Sequence, residues 1–164
     1  MKVFGFTGFS GSGKTTLIEQ VIPLFVQKGL RVSLIKHAHH HFDIDKPGKD
    51  SYRHREAGCT EVMIVSSNRW AMMHELRGEA EPTLDEQIAR ISPCDLLLIE
   101  GYKHSDLAKI EVHRPDHVAE LLYPGHGVVA VASDKPLRLD VPVLDLNSPS
   151  AVAEFVLNYT HLNK

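Results

Sequence analysis

The octapeptide Gly8-Phe9-Ser10-Gly11-Ser12-Gly13-Lys14-Thr15 constrains this chain more than any other feature, because it matches G-x-x-x-x-G-K-[ST]. It follows a short apolar run, Val3-Phe4-Gly5-Phe6-Thr7. It opens a segment in which Leu17, Ile18, Val21, Ile22 and Phe25 recur at spacings of three and four. Strand, glycine-rich turn and helix are the context in which the motif has physical meaning. Within the cradle Gly8, Ser10, Gly11, Ser12 and Gly13, the glycines let successive backbone N–H groups curl around an oxyanion without Cβ clashes. The helix N-terminus adds unpaired donors and partial positive charge. Lys14 supplies a compact cation for β- and γ-phosphates. The Thr15 hydroxyl is a ligand for Mg²⁺, and Thr16 reaches the α-phosphate region.

The rest of the chain repeats the alternation. Gly29 stops the first helix, which Pro23 is expected to kink, and residues 31–36 read as a second strand, completing a βαβ unit. Residues 37–50 have no period and read as a loop before a short helix over 50–58. Residues 61–66 and 69–74 read as paired strands with Ser67-Asn68 as their two-residue turn. Thr83 is the expected N-cap of a helix over 83–92. The continuous apolar run Leu96–Ile99 reads as a strand buried on both faces, and further strands are expected at 109–113, 127–132 and 142–146, before a helix from 149 to 160. The expected architecture is α/β: a P-loop NTPase-type three-layer sandwich with a mainly parallel central sheet, plus a β-hairpin extension. With 164 residues, one nucleotide-binding domain spanning 1–164 is expected.

Charge and composition exclude several classes. Eighteen Lys and Arg against 21 Asp and Glu give a net charge of −3, which argues against a generally basic nucleic-acid binder. No apolar run approaches the ~20 residues of a membrane span, and two cysteines, Cys59 and Cys94, make no disulfide scaffold, so a reducing cytoplasm is expected.

Ligands of α/β sheets gather at the C-terminal ends of strands. Glu100 lies at that end of the 96–99 run and is the candidate for polarising water or touching Mg²⁺ through water, whereas Asp95 begins the strand. Residues 36–54 hold five of the 11 histidines, with three acids and three lysines. Three readings of this loop stay open. One is a zinc or other transition-metal site from its His and Asp residues, with His37, His39, His40 and His41 as the clustered histidines. Another is a nucleotide-responsive switch in which Asp43 or Asp45 meets Mg²⁺ and Lys46 or Lys49 meets phosphate or an anionic substrate. The third is a solvated loop. Asp134, just past a late strand, can accept the N1–H and exocyclic amine of guanine, a donor pair that adenine lacks; it can equally shape the turn before Pro136. The 61–74 hairpin carries Trp70, Met72 and Met73, either as core or as an exposed edge that pairs with a second copy.

These residues resemble the molybdopterin-guanine dinucleotide biosynthesis protein B (MobB) family. The resemblance rests on the phosphate loop 8–16, Ile35-Lys36-His37 with His39-His40, and Asp43-x-Asp45-Lys46-Pro47-Gly48-Lys49-Asp50-Ser51-Tyr52. It continues in Arg69-Trp70-Ala71, Leu98-Ile99-Glu100-Gly101-Tyr102-Lys103-His104 and Ala130-Val131-Ala132-Ser133-Asp134. It implies a GTP-binding protein with weak GTPase activity. It implies an adapter role in molybdenum cofactor assembly beside a MobA-type guanylyltransferase, with molybdopterin as a further ligand. It also implies a homodimer with strands shared across the interface. By position, Gly11, Gly13, Lys14, Thr15 and Thr16 become GTP-phosphate contacts, Glu100 the second nucleotide-binding acid, and Lys46, Pro47, Gly48 and Lys49 part of the ligand pocket. Two other functions suit parts of the pattern: a small-molecule kinase using ATP, and a metal-chaperone GTPase using the histidines. No arginine finger or water-positioning glutamine stands out, so any hydrolysis is expected to be slow.

Overall fold

The computed structural model describes residues 1–38 and 42–163, so His39, His40 and His41 of the histidine cluster lie outside the described residues. Its elements fall into two compact units, one formed by 1–37 with 90–164 and the other by 38–89.

The first unit is built on six parallel strands: β1 (Lys2–Thr7), β2 (Val32–Lys36), β5 (Leu96–Glu100), β6 (Lys109–His113), β7 (Val128–Ser133) and β8 (Val143–Asp145). Their order is β2-β5-β1-β6-β7-β8. The continuous run Leu96–Ile99 sits between β2 and β1 with every residue buried, as its lack of alternation requires. Helices α1 (Lys14–Gln27) and α4 (Pro149–Thr160) cover one face. There Phe4, Phe6, Leu98, Ile110 and Val112 meet Leu17, Val21, Phe25, Val152 and Val156. The helix α1 runs through Pro23 without interruption. Asp95 stands at the opposite end of β5 from the ligand edge, where its carboxylate accepts the Arg31 backbone N–H at 2.8 Å.

The other face of β6 is polar and still buried. Lys109, Glu111 and His113 alternate with Ile110 and Val112, and all five are inaccessible. The Lys109 ammonium donates to the carbonyls of Tyr102 (2.7 Å), Ser105 (2.7 Å) and Lys103 (3.3 Å) and to Ser105 Oγ (3.0 Å). The Glu111 carboxylate accepts the N–H groups of Leu122 (2.8 Å) and Tyr123 (3.0 Å). Each side chain supplies the hydrogen bonds that an irregular segment cannot make to itself, and so fixes the loops on either side of β6.

The 38–89 unit contains α2 (Asp50–Glu56), the hairpin β3 (Glu61–Val65) and β4 (Trp70–His74), and α3 (Leu84–Ala89). Ser67-Asn68 forms the hairpin turn, closed by Ser66 N–H to Arg69 O at 2.9 Å. Thr83 caps α3 through a capping box: Thr83 Oγ1 accepts the Glu86 N–H at 3.3 Å, while Glu86 accepts the Thr83 N–H at 2.7 Å. On one hairpin face Met63 opposes Met72 and Val65 opposes Trp70, and all four are exposed, whereas Met73 is buried on the other. The hairpin is therefore neither all core nor all surface. Among the described residues no helix is long and apolar enough to cross a membrane.

Burial pushes the Lys109 amine down to about 8, with the Asp106 charge opposing. The unfolded chain keeps this proton to about 10.4, the ordinary value for lysine. Between those limits the unfolded state binds more protons, so this group makes stability rise with pH across the window and costs it below. The variant K109M removes the ammonium that the Tyr102, Lys103 and Ser105 carbonyls share and is expected to lose about 1–3 kcal/mol at pH 7 in urea unfolding. Its stability should also lack the rise above pH 8.

Candidate functional site

Parallel strands place the ends Thr7, Lys36, Glu100, His113, Ser133 and Asp145 on one edge. The turn Gly8–Gly13 leaves β1 there and delivers the chain into α1, whose first backbone bond runs from the Leu17 N–H to Gly13 O at 3.0 Å. Gly8 (φ 139°), Gly11 (φ 79°) and Gly13 (φ 92°) all adopt positive φ, which other L-residues rarely do. A methyl at Gly8 would overlap the Val112 carbonyl oxygen, so the turn is pressed against the end of β6.

Lys14 folds back over its own loop, donating to Gly8 O at 2.9 Å and Phe9 O at 2.8 Å. Burial lowers its pKa, with Glu100 opposing; a polyanion in the cradle would raise it again. Thr15 Oγ1 donates to Glu100 Oε1 at 2.8 Å, and Lys36 Nζ lies 3.5 Å from the same oxygen. Its proton spent on Glu100, the Thr15 hydroxyl keeps its lone pairs for a hard cation.

At the far side of the loop, Asp134 stands one residue past β7. Its Oδ2 accepts Arg114 Nη1 at 2.7 Å, and its Oδ1 is buried without a partner. The Arg114 Nε donates to Ser12 O at 3.2 Å. A cleft of about 370 Å³ lies between Ser133–Pro136 and the 143–147 segment. A smaller one of about 180 Å³ is lined by Gly13, Thr16, Arg114 and Asn147, and Asn147 borders both. Gly8, Ser10, Gly11, Ser12, Gly13, Lys14, Thr15, Thr16, Glu100 and Asp134 thus all belong to one unit and one sheet edge.

The remaining sequence candidates belong to the 38–89 unit. Both oxygens of Asp45 are held by Arg55, Oδ1 at 2.7 Å and Oδ2 at 3.0 Å. Asp43 meets the same guanidinium at 2.8 Å and Glu75 at 2.7 Å. Arg55 in turn holds the Asp45 carboxyl below its ordinary range. Any cation at Asp45 must displace that fork. Lys46-Pro47-Gly48-Lys49 makes a turn closed by Lys49 N–H to Lys46 O at 3.1 Å, with Gly48 at φ 84° and both lysines exposed. Among the described residues no cluster of His, Cys, Asp and Glu can hold a metal ion.

Residues 3–134 match the family described as "Molybdopterin guanine dinucleotide synthesis protein B". The chain belongs to the MobB family. It is 45% identical over 96% of its length to the molybdopterin-guanine dinucleotide biosynthesis adapter protein of Escherichia coli, covering 92% of that protein. It is 41% identical over 97% of its length to the adapter protein of that description from Haemophilus influenzae, covering 89% of it. A MobB homologue from Bacillus stearothermophilus, known from a crystal structure, shares the fold at TM-score 0.77 and 24% identity, over 99% of this chain and 100% of that one.

Within this MobB-family chain, sequence reasoning passed over three residues at the edge. Lys36 and Arg114 each lie at or just past a strand end, and that placement was the available signal. His117 gave none: its Nε2 lies 2.9 Å from Ser10 O because the 114–118 turn folds over the loop. The variant G8A should lower unfolding free energy by more than about 2 kcal/mol, since it adds backbone strain to a steric overlap. Thermal and urea unfolding measure this, and wild-type stability would refute the packing described.

Proposed function

We propose that the protein binds GTP with Mg²⁺ at this sheet edge, hydrolyses it slowly, and serves in the cytoplasm as a homodimeric adapter. Its process is molybdopterin guanine dinucleotide biosynthesis, and its partner is a MobA-type guanylyltransferase. The observation that carries the nucleotide reading is the Thr15–Glu100 hydrogen bond at the mouth of a loop already curled for phosphate. Thr15, with Glu100 behind it, fits a magnesium ion, which when bound neutralises charge on the β- and γ-oxygens. Lys14 exchanges its two loop carbonyls for phosphate oxygens. Gly11, Gly13 and Thr16 add backbone and hydroxyl donors. Asp134 favours guanine because its buried Oδ1 has no partner within the protein. Lys46–Lys49, an exposed cationic turn, suits the anionic part of a ligand, molybdopterin included. The adapter role is supported by 45% identity to a relative of that description.

Homodimer formation is supported by the face of β3 and β4 that carries Met63, Val65, Trp70 and Met72. Trp70 is 63% and Val65 68% exposed. A contiguous apolar face of this kind favours burial against a partner, and a second copy presents the same surface to it.

Calorimetric titration with Mg²⁺ should show GTP bound more tightly than ATP. K14A should weaken GTP at least about tenfold, since it removes a charge-assisted contact to phosphate. Equal binding of both nucleotides would remove the guanine assignment, and an unaffected K14A would remove the phosphate assignment. Light scattering should report a dimer for the wild type and a monomer for W70E; a W70E dimer would exclude this face as the interface.

A further inference from the structure

One guanidinium touches both ends of the proposed nucleotide site. Arg114 follows β6 directly and reaches across the edge with Nε on Ser12 O at 3.2 Å and Nη1 on Asp134 Oδ2 at 2.7 Å. Ser12 O belongs to the phosphate loop, and Asp134 is the carboxylate facing the 370 Å³ cleft. Nη2 takes neither bond; the guanidinium lies against Gly13 at the start of α1, with Nε 3.4 Å and Nη2 3.5 Å from where a Cβ would stand, and Arg114 lines the smaller cleft. The planar fork fixes its two contacts together. Asp134 cannot turn without breaking a charge-assisted bond. Arg114 cannot follow it without releasing the loop carbonyl.

We infer that Arg114 is the positioning residue that ties base selection at Asp134 to the phosphate loop. This rests on the reading of a guanine nucleotide at this edge. With Oδ2 on Arg114, Asp134 is held with Oδ1 free for the base, and Oδ2 retains a second lone pair for guanine's other donor. The carboxylate therefore meets the base in one orientation, and that orientation depends on Ser12 being in place. Charge alone does not achieve this. A lysine at 114 would keep the positive charge near the loop but, as a single point of attachment, could not serve Ser12 O and Asp134 at fixed mutual geometry.

The test is titration calorimetry with Mg²⁺ on the wild type, R114K, R114A and D134N, using GTP, ATP, XTP and tripolyphosphate. R114K should bind tripolyphosphate within about threefold of the wild type yet lose about tenfold of the GTP-over-ATP ratio, the size expected when one hydrogen-bonded group is misplaced. D134N should shift preference towards XTP, because an amide offers the donor that the xanthine 2-oxo group needs. Adding R114K to D134N should then change the GTP-over-ATP ratio no further, as coupled residues behave. If R114K and R114A both keep the wild-type ratio, Arg114 has no positioning role. A parallel loss of GTP, ATP and tripolyphosphate in R114A, with the ratio intact, overturns the inference equally, since it makes Arg114 a phosphate contact alone. A wild type without GTP preference would instead remove the guanine reading, and the inference with it. Melting temperatures of R114K and D134N close to the wild type separate these effects from misfolding.

Discussion

The close approach of Gly8 to the Val112 carbonyl sets the geometry of the whole ligand edge. Only a residue without Cβ can leave β1 at that angle, and only in the positive-φ conformation that Gly8 adopts. Because β1 and β6 are neighbours in the sheet, the phosphate loop and the chain emerging from β6 then lie side by side. Arg114 and His117 reach Ser12 O and Ser10 O from that neighbouring chain. Loop carbonyls are thus held by donors from outside the loop as well as by Lys14 from within it.

The buried polar face of β6 extends the same logic. A strand of this sheet is expected to carry apolar side chains on both faces, yet Lys109 and Glu111 are fully buried. Each replaces a layer of regular structure by fixing an irregular segment through backbone groups. Lys109 gathers three carbonyls of the loop that follows Glu100, and Glu111 gathers two N–H groups of the segment that carries Arg114 and His117. Both segments border the ligand edge. Their order is thus set by a single strand, and the lowered pKa of Lys109 is the electrostatic cost of that arrangement.

What the sequence made legible was whatever depends on near neighbours. The glycine-rich turn, the strand at Leu96–Ile99, the two-residue turn at Ser67-Asn68 and the Thr83 cap follow from local sterics, periodicity and side-chain to backbone bonding. Glu100 was legible because strand polarity in a parallel sheet decides which end meets ligands. What escaped were pairings between distant positions. Nothing near Asp43 and Asp45 announces that Arg55 takes up both, since the partner lies on the next helix. Arg114 looked like an ordinary residue after a strand, because its two partners are 102 and 20 positions away. The alternation Lys-Ile-Glu-Val-His resembles a half-exposed strand, and burial of its polar half depends on loops whose paths a single sequence does not show.

The edge also explains why tight binding is not the expected property of such a site. Its functional groups already have internal partners: Lys14 has two loop carbonyls, Thr15 has Glu100, Glu100 has Lys36, and Arg114 has Asp134. A nucleotide entering here exchanges bonds more than it adds them, so only the difference between old and new contacts appears as affinity. The exceptions are Thr7 Oγ1 and Ser12 Oγ beside the phosphate loop and Asp134 Oδ1 past β7, which are buried with no bond to give up. Contact with the right base at Asp134 therefore gains more than contact with phosphate gains at Lys14. Under the proposed reading, a site organised in this way discriminates at the base through Asp134 Oδ1, and on the phosphate side gains more at Ser12 than at Lys14. Such a balance suits a protein that presents a nucleotide-dependent surface to a partner better than one that turns substrate over rapidly.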